Sequence, residues 1–330
     1  MQWLGLRRRS GERAAHILFF LCALTAVALL LLITAYLILA GLPAIREIGL
    51  KNFLLGEVWD SANRENPQFG IFPLLLTSIY GAAGAMVLGV PLGLLTALFL
   101  AKAAPKGLAA VIRYLVRLLA GIPSVVCGLV GMTVLVPFLR ERLDLPAGDG
   151  LLAAVIVLAV MILPSVVELS EDALAAVPRS YEEASLALGA TEAETWFRTS
   201  LPAAGSGVAA AVTLGIGRAM GEAMAILMVA GNVANMPGPL WSVRFLTTGI
   251  AMEMGYAAAG SLRQQALFSI ALVLFVIVLL INILLHLARG RGIFLRKRCC
   301  GSARRRCPRC CWRWRGMCAF GAYRGSAGGC

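Results

Sequence analysis

The chain of 330 residues is short of charge. Asp, Glu, Lys and Arg make up 14% of it and hydrophobic residues 59%, against roughly 25% charged in soluble domains. So few polar groups exclude a soluble globular protein. Lysine is scarce, with four in all, and none lies in a Gly-x-x-x-x-Gly-Lys-[Ser/Thr] segment, which excludes a P-loop for nucleotide phosphates. Histidine is scarcer still. His16 and His286 stand at the edges of apolar runs and read as interfacial packing rather than as ligands or bases. A Gly-x-Ser-x-Gly elbow is also missing, which weighs against an intramembrane hydrolase built from Ser124 or Ser206 with His286.

Long apolar runs are what the chain does have. Stretches free of Asp, Glu, Lys and Arg cover residues 14–45, 66–101, 118–139, 150–167, 199–217 and 264–288. Each supplies the ~20 apolar residues that cross a bilayer at 1.5 Å rise per residue, the fourth only just. The pattern predicts an all-α, polytopic membrane protein with six transmembrane helices. The stretch 223–243 is broken by Asn232, Asn235, Pro237, Gly238 and Pro239 and reads as the end of span five plus a loop.

The net charge of +13 invites a nucleic-acid reading until the basic residues are placed: residues 1–298 carry +6, and seven arginines beyond them supply the rest. Arg7, Arg8, Arg9 and Arg13 precede the first run, Lys102, Lys106, Arg113 and Arg117 separate runs two and three, and Arg289, Arg291, Arg296, Lys297 and Arg298 follow the sixth. On the other side Arg46, Lys51, Arg64, Arg140, Arg142, Arg244 and Arg263 are spread over longer loops and mixed with acids. The positive-inside bias therefore predicts both termini in the cytoplasm. The apolar run from 17 to 40 exceeds the 7 to 15 residues of a secretory signal core and predicts a retained anchor. Membrane lipid, not nucleic acid, is the expected partner of the basic residues.

One inside segment breaks the basic pattern. From 168 to 207 the chain carries Glu168, Glu171, Asp172, Glu182, Glu183, Glu192 and Glu194 against Arg179 and Arg198. Ser180 with Glu183 has capping-box spacing, residues 181–188 suit a short helix, and Gly189 suits its left-handed end. Thr191 with Glu194 has the same spacing and opens a second helix running toward Leu201, with Pro202 expected in the first turn of span five. Short helices are marginal alone and need a surface to pack on; a solvated loop with ordinary caps is the alternative.

These residues carry a resemblance. Glu183-Ala184-Ser185, then Gly189, then Leu201-Pro202 resembles the EAA loop of ABC-importer permeases, whose coupling helix inserts into a groove of the ATPase subunit. Ser185 stands where that pattern has its second Ala, and Thr199 where it has Ile. The segments 70–81, 121–128 and 214–232 are similar to those of the C-type permease subunit of the phosphate-specific importer. The resemblance covers residues 70 to 290 and implies an ABC type-1 (MetI-like) permease fold in the bacterial inner membrane. It also implies a heterodimer with a homologous A-type phosphate permease, a cytoplasmic ATP-binding subunit dimer docked on the loop, a periplasmic phosphate-binding protein outside, and phosphate as cargo. ATP and Mg would belong to the partner ATPase, leaving this chain without catalytic residue, cofactor or metal. Expected domain limits are 1–70 for the N-terminus, anchor helix and outer loop, and 71–290 for the permease core with the EAA loop at 171–203. Residues 291–330 would form a basic, Cys-rich tail.

Arg218 and Glu222 are ionisable residues within the fifth span region. A charge at mid-bilayer costs about 2.5 to 3.5 kcal/mol even on a lenient scale, so such residues read as functional by default. Their i, i+4 spacing predicts a pair on one helix face. Arg218 would offer a fixed cation with five N–H donors to a tetrahedral oxyanion, while Glu222 would hold the guanidinium or accept a proton from the monobasic anion. A structural ion pair fixing helix register is the alternative. Gly217-x-x-x-Gly221 and Gly89-x-x-x-Gly93 read as close helix packing. Pro123 and Ser124 are expected to break span three and turn backbone toward a cavity, which adds Ser124 to the path.

The tail from 299 to 330 holds seven of the nine cysteines, seven arginines and no acid. No closed metal-ligand spacing emerges there. Its abrupt bias resembles GC-rich DNA read in a shifted frame; a lipid-touching basic tail and a metal site are the alternatives. For the whole chain, the same architecture serving molybdate, sulfate or an amino acid stands beside phosphate, as does a self-contained secondary transporter.

Overall fold

The structure, a computed structural model, describes residues 2–61 and 67–306, with side chains described for 16–61 and 67–287. It falls into two units, Met1–Leu280 and Ile281–Cys330. The described part of the second is helical. In chain order the elements are α1 (Gln2–Ile48), α2 (Leu50–Leu55), β1 (Trp59–Asp60), β2 (Gln68–Phe69), α3 (Phe72–Leu98), α4 (Lys106–Gly121), α5 (Ser124–Val130), α6 (Val136–Leu143) and α7 (Leu151–Ala175). There follow α8 (Arg179–Ala187), α9 (Glu192–Thr195), α10 (Leu201–Ala203), α11 (Gly205–Gly221), α12 (Met224–Val229), α13 (Leu246–Glu253) and α14 (Leu262–Arg306). The two strands form one short antiparallel hairpin, Trp59 opposite Phe69. The Cys-rich segment 307–330 lies outside the described residues.

Among the described residues, five segments are long and apolar enough to cross a membrane: His16–Ile48, Phe72–Ala103, Ser124–Leu143, Leu151–Ala175 and Leu262–Leu287. A sixth is bent rather than straight, Glu192–Ala203 and Gly205–Gly221 meeting at 72°. The expected run 199–217 thus spans a corner, and Pro202 lies in α10 before the corner instead of in the first turn of the membrane helix. The third span begins later than its apolar window. Ile122 precedes Pro123 and is driven to an extended backbone, ψ 126°, because the proline ring disfavours helical geometry in the residue before it. The expected break at Pro123 and Ser124 is therefore present, with α4 ending and α5 starting across it.

Among the described residues, three wide, five-residue π turns interrupt the helices, at Phe99–Ala103, Gly131–Leu135 and Trp196–Ser200. Each is closed by the N–H of the next residue, Ala104, Val136 or Leu201, donating five residues back to Phe99, Gly131 or Trp196. Each of those donors precedes a proline: Pro105, Pro137 or Pro202. A proline ring clashes with the carbonyl four residues earlier, and widening the preceding turn moves that carbonyl aside.

α3 and α7 run parallel and form the centre. Gly89 and Gly93 permit this approach: a Cβ on Gly89 would come within 2.8 Å of Ile162 Cδ1, and one on Gly93 within 2.9 Å of Val166 Cγ1. α11 runs antiparallel to α7, with Gly207 against Ala173 and Gly215 against Val166. The Gly217-x-x-x-Gly221 pattern does not pack this way, since a Cβ at either glycine would meet nothing within 4 Å. At one end of the bundle Phe53, Trp59, Phe69, Ile71, Leu74, Leu246 and Leu267 make an apolar core; at the other, Ala97, Leu98, Leu174, Val177 and Ala204 do so beneath the 168–207 loop.

Candidate functional site

Arg218 lies in the last turn of α11, exposed on the surface of this chain. Its Nη1 donates to Ser165 Oγ at 3.0 Å. Ser165 follows Pro164 within α7, so the hydrogen bond joins two antiparallel helices. The expected pair with Glu222 is not formed. No carboxylate among the described residues lies within ion-pair distance of Arg218. The i, i+4 rule presumes a continuous helix, and α11 stops at Gly221, where Glu222 turns extended with ψ 130°. Glu222 Oε1 instead accepts from Ala225 N–H at 3.2 Å, capping α12, while its main-chain carbonyl accepts from Thr247 Oγ1 at 2.8 Å. The guanidinium therefore keeps its whole charge beside a neutral hydroxyl.

Ser124 is the first residue of α5 and is half-buried. One turn on, Gly128 lets α12 approach, since a Cβ there would meet Ala225 Cα at 2.8 Å. Gly131 likewise faces Val229, so α5 and α12 run parallel. Carried back one turn, this register sets Ser124 at the level of the Glu222 break. Arg218, Glu222 and Ser124 thus border the same helix interruptions, although no hydrogen bond joins them.

The 168–207 loop is built by local chemistry and two long-range anchors. Thr191 and Glu194 form the expected capping box, Glu194 N–H donating to Thr191 Oγ1 at 3.3 Å and Thr191 N–H to Glu194 Oε2 at 3.1 Å. Gly189 has φ +87°, the left-handed value for which glycine has no steric cost. The box expected at Ser180 and Glu183 is absent. Pro178 caps α8 with an extended backbone and starts the helix at Arg179, so Ser180 is already inside it. The preceding Glu182 is the anchored carboxylate: Lys102 Nζ lies 2.5 Å from its Oε1, and Ser200 Oγ donates to the same oxygen at 2.8 Å.

Burial alone would raise the Glu182 pKa, but hydrogen bonds from Lys102 and Ser200, with the charges of Lys102 and Arg179, hold it below the ordinary carboxylate value. A second tie joins the same end of the bundle, Arg113 Nε donating to Glu171 Oε1 at 2.6 Å and Nη2 to Leu100 O at 3.3 Å. Glu183 is exposed beside half-buried Ala184. Leu188, 86% exposed, and Tyr181, Leu186 and Phe197 give this loop an apolar outer surface, the kind that marks a protein contact. Leu201 is half-buried and Pro202 exposed.

Sequence reasoning missed Ser165, Glu182 and Glu253. The last is buried in α13, accepting from Trp59 Nε1 at 2.8 Å, Ser61 Oγ at 2.5 Å and Arg244 Nη1 at 2.9 Å, and from Arg263 Nη2 at 3.1 Å. A lone hydroxyl after a helix proline was the available signal for Ser165. Glu253 had none, since its partners lie up to 194 residues away.

Residues 89–291 match the family of binding-protein-dependent transport system inner membrane components. The probable ABC transporter permease protein YqgH of Bacillus subtilis is 37% identical over 287 residues, 86% of this chain and 93% of that protein. The phosphate transport system permease protein PstC of Haemophilus influenzae is 32% identical over 81% of this chain and 89% of its own length. PstC 2 of Mycobacterium tuberculosis is 34% identical over 83% and 90%. Among solved structures, the inward-facing MetNI methionine ABC transporter aligns with TM-score 0.51 and 23% identity over 67% of this chain and 94% of that chain, a likeness of fold alone. With the helix order, the bent fifth span and these relatives together, the chain belongs to the binding-protein-dependent transport system inner membrane component family, as a multi-pass permease subunit of an ABC transporter.

Proposed function

We propose that this chain forms half of the phosphate path of an ATP-driven importer in a bacterial inner membrane, the other half coming from a homologous A-type permease. The observation that carries the reading is the bond from Arg218 to Ser165 rather than to a carboxylate. A guanidinium not neutralised by an acid is a standing attraction for an anion, and its planar fork suits two oxygens of a tetrahedral one. The relatives named phosphate transport permeases support phosphate over other oxyanions. Glu222 and Ser124, at the level of the same breaks, complete the path, the carboxylate able to accept a hydrogen bond from the O–H of a monobasic anion.

The loop carrying Glu183, Ala184, Gly189, Leu201 and Pro202 lies on the cytoplasmic side with both chain ends and receives a dimeric ATP-binding subunit, on which ATP and Mg reside. A periplasmic phosphate-binding protein delivers cargo to the opposite side. The permease itself cleaves no bond; ATP binding and hydrolysis on the partner rock the two permease subunits between outward and inward access. The test is reconstitution with these partners, measuring labelled phosphate uptake and ATP hydrolysis. Arg218→Ala is expected to abolish uptake. Stimulation of ATP hydrolysis by a binding protein loaded with sulfate, molybdate or an amino acid, but not with phosphate, would overturn the substrate.

A further inference from the structure

We infer that Ser165 is a second residue that contacts the cargo, giving a tetrahedral oxyanion a hydroxyl donor beside the Arg218 guanidinium; this deepens, and rests on, the reading of Arg218 as the cation of the path. Hydroxyls on membrane helices ordinarily donate back to a carbonyl of their own helix. Thr34, Ser78, Thr96 and Thr133 do so here, each to the carbonyl four residues earlier at 2.8 to 2.9 Å. Ser165 is turned the other way. Its oxygen accepts from Arg218 Nη1 at 3.0 Å, and its proton goes to no carbonyl of α7. A hydroxyl that accepts one bond still has a proton to give. The cation fixes the oxygen, and the hydroxyl, free to turn about its C–O bond, can aim that proton at an oxyanion seated beside the guanidinium.

Two donors from two helices thus converge, the guanidinium from α11 and the hydroxyl from α7. An oxyanion held by both would bridge α7 and α11, two helices already packed together through Gly207 and Gly215. The set selects by chemistry. It offers N–H and O–H donors around a positive charge and suits a tetrahedral oxyanion such as phosphate or arsenate, whereas a cationic solute would be repelled.

The test uses the whole importer in proteoliposomes, with inorganic phosphate on the binding protein, and reads phosphate moved per ATP hydrolysed. Ser165→Ala is expected to lower this ratio roughly tenfold, the loss typical of a hydrogen bond to a charged group, while ATP hydrolysis stays stimulated. Ser165→Thr, which keeps the hydroxyl, is expected to restore it. A wild-type ratio in Ser165→Ala, with Arg218→Ala still inactive, would overturn this inference and leave the path reading intact. A wild-type ratio in Arg218→Ala would overturn both. Parallel loss of ATP hydrolysis and uptake in both serine variants would make Ser165 a packing residue and overturn the inference as well.

Discussion

Thr199 Oγ1 donates to Ser185 Oγ at 3.3 Å, and Thr195 Oγ1 donates to the same oxygen at 2.9 Å. Ser185 and Thr199 are the two positions at which the loop departs from the EAA pattern, so the departures are partners in space. In this chain the contact between those two positions, across α8 and the π turn, is polar. Ser185→Ala alone removes the shared acceptor and is expected to destabilise the loop by about 1 kcal/mol. Thr199→Ile alone places a branched apolar group against a hydroxyl. The double variant restores an apolar pair and should cost less than the sum of the singles, a non-additivity read from denaturant unfolding midpoints. Strict additivity would show that the contact carries no energy.

The Glu182 anchor predicts a pH dependence with a definite sign. Its pKa in the folded loop lies below the ordinary carboxylate value, so the folded state favours the ionised form. That stabilisation is fully present well above the ordinary carboxylate value and is lost as pH falls through the lowered folded one. Trp196 lies between the anchor and Ser200, and its fluorescence should report loosening on that acid limb. Glu182→Gln should show the loosened signal already at neutral pH and little change on acidification. An unchanged acid limb in this variant would assign the transition to another carboxylate.

Glu253 holds two arginines, with its side chain 11% exposed. Removing the charge of a buried, paired carboxylate strands its partners and typically costs about 3 to 5 kcal/mol. Glu253→Gln should therefore open the segment between α12 and α14. Trypsin cleavage after Arg244 and Arg263 should accelerate at least tenfold, with the opposite 168–207 loop unaffected. Equal protection in variant and wild type would mean that apolar packing of Phe53, Trp59 and Leu246 holds this end alone.

What the sequence made legible was whatever depends on near neighbours. Apolar run length marked the spans, Thr191 and Glu194 marked a cap three residues apart, and Pro123 marked a break through its own ring. What stayed hidden depends on distant partners or on helix continuity. Arg218 and Glu222 have the spacing of a pair, but the helix ends between them and the actual partner, Ser165, lies 53 residues away. Ser180 and Glu183 have the spacing of a capping box, but Pro178 starts the helix first. The acid that anchors the loop is its neighbour Glu182, chosen by the position of Lys102 rather than by any local pattern.

The 72° corner at Ala204 has a mechanical meaning. A displacement of the α9 to α10 segment along its own axis projects onto the axis of α11 by the cosine of that angle, about three tenths of its length. The remainder is transverse. Any push along the α9 to α10 segment would therefore reach the helix that carries Arg218 mainly as a sideways swing.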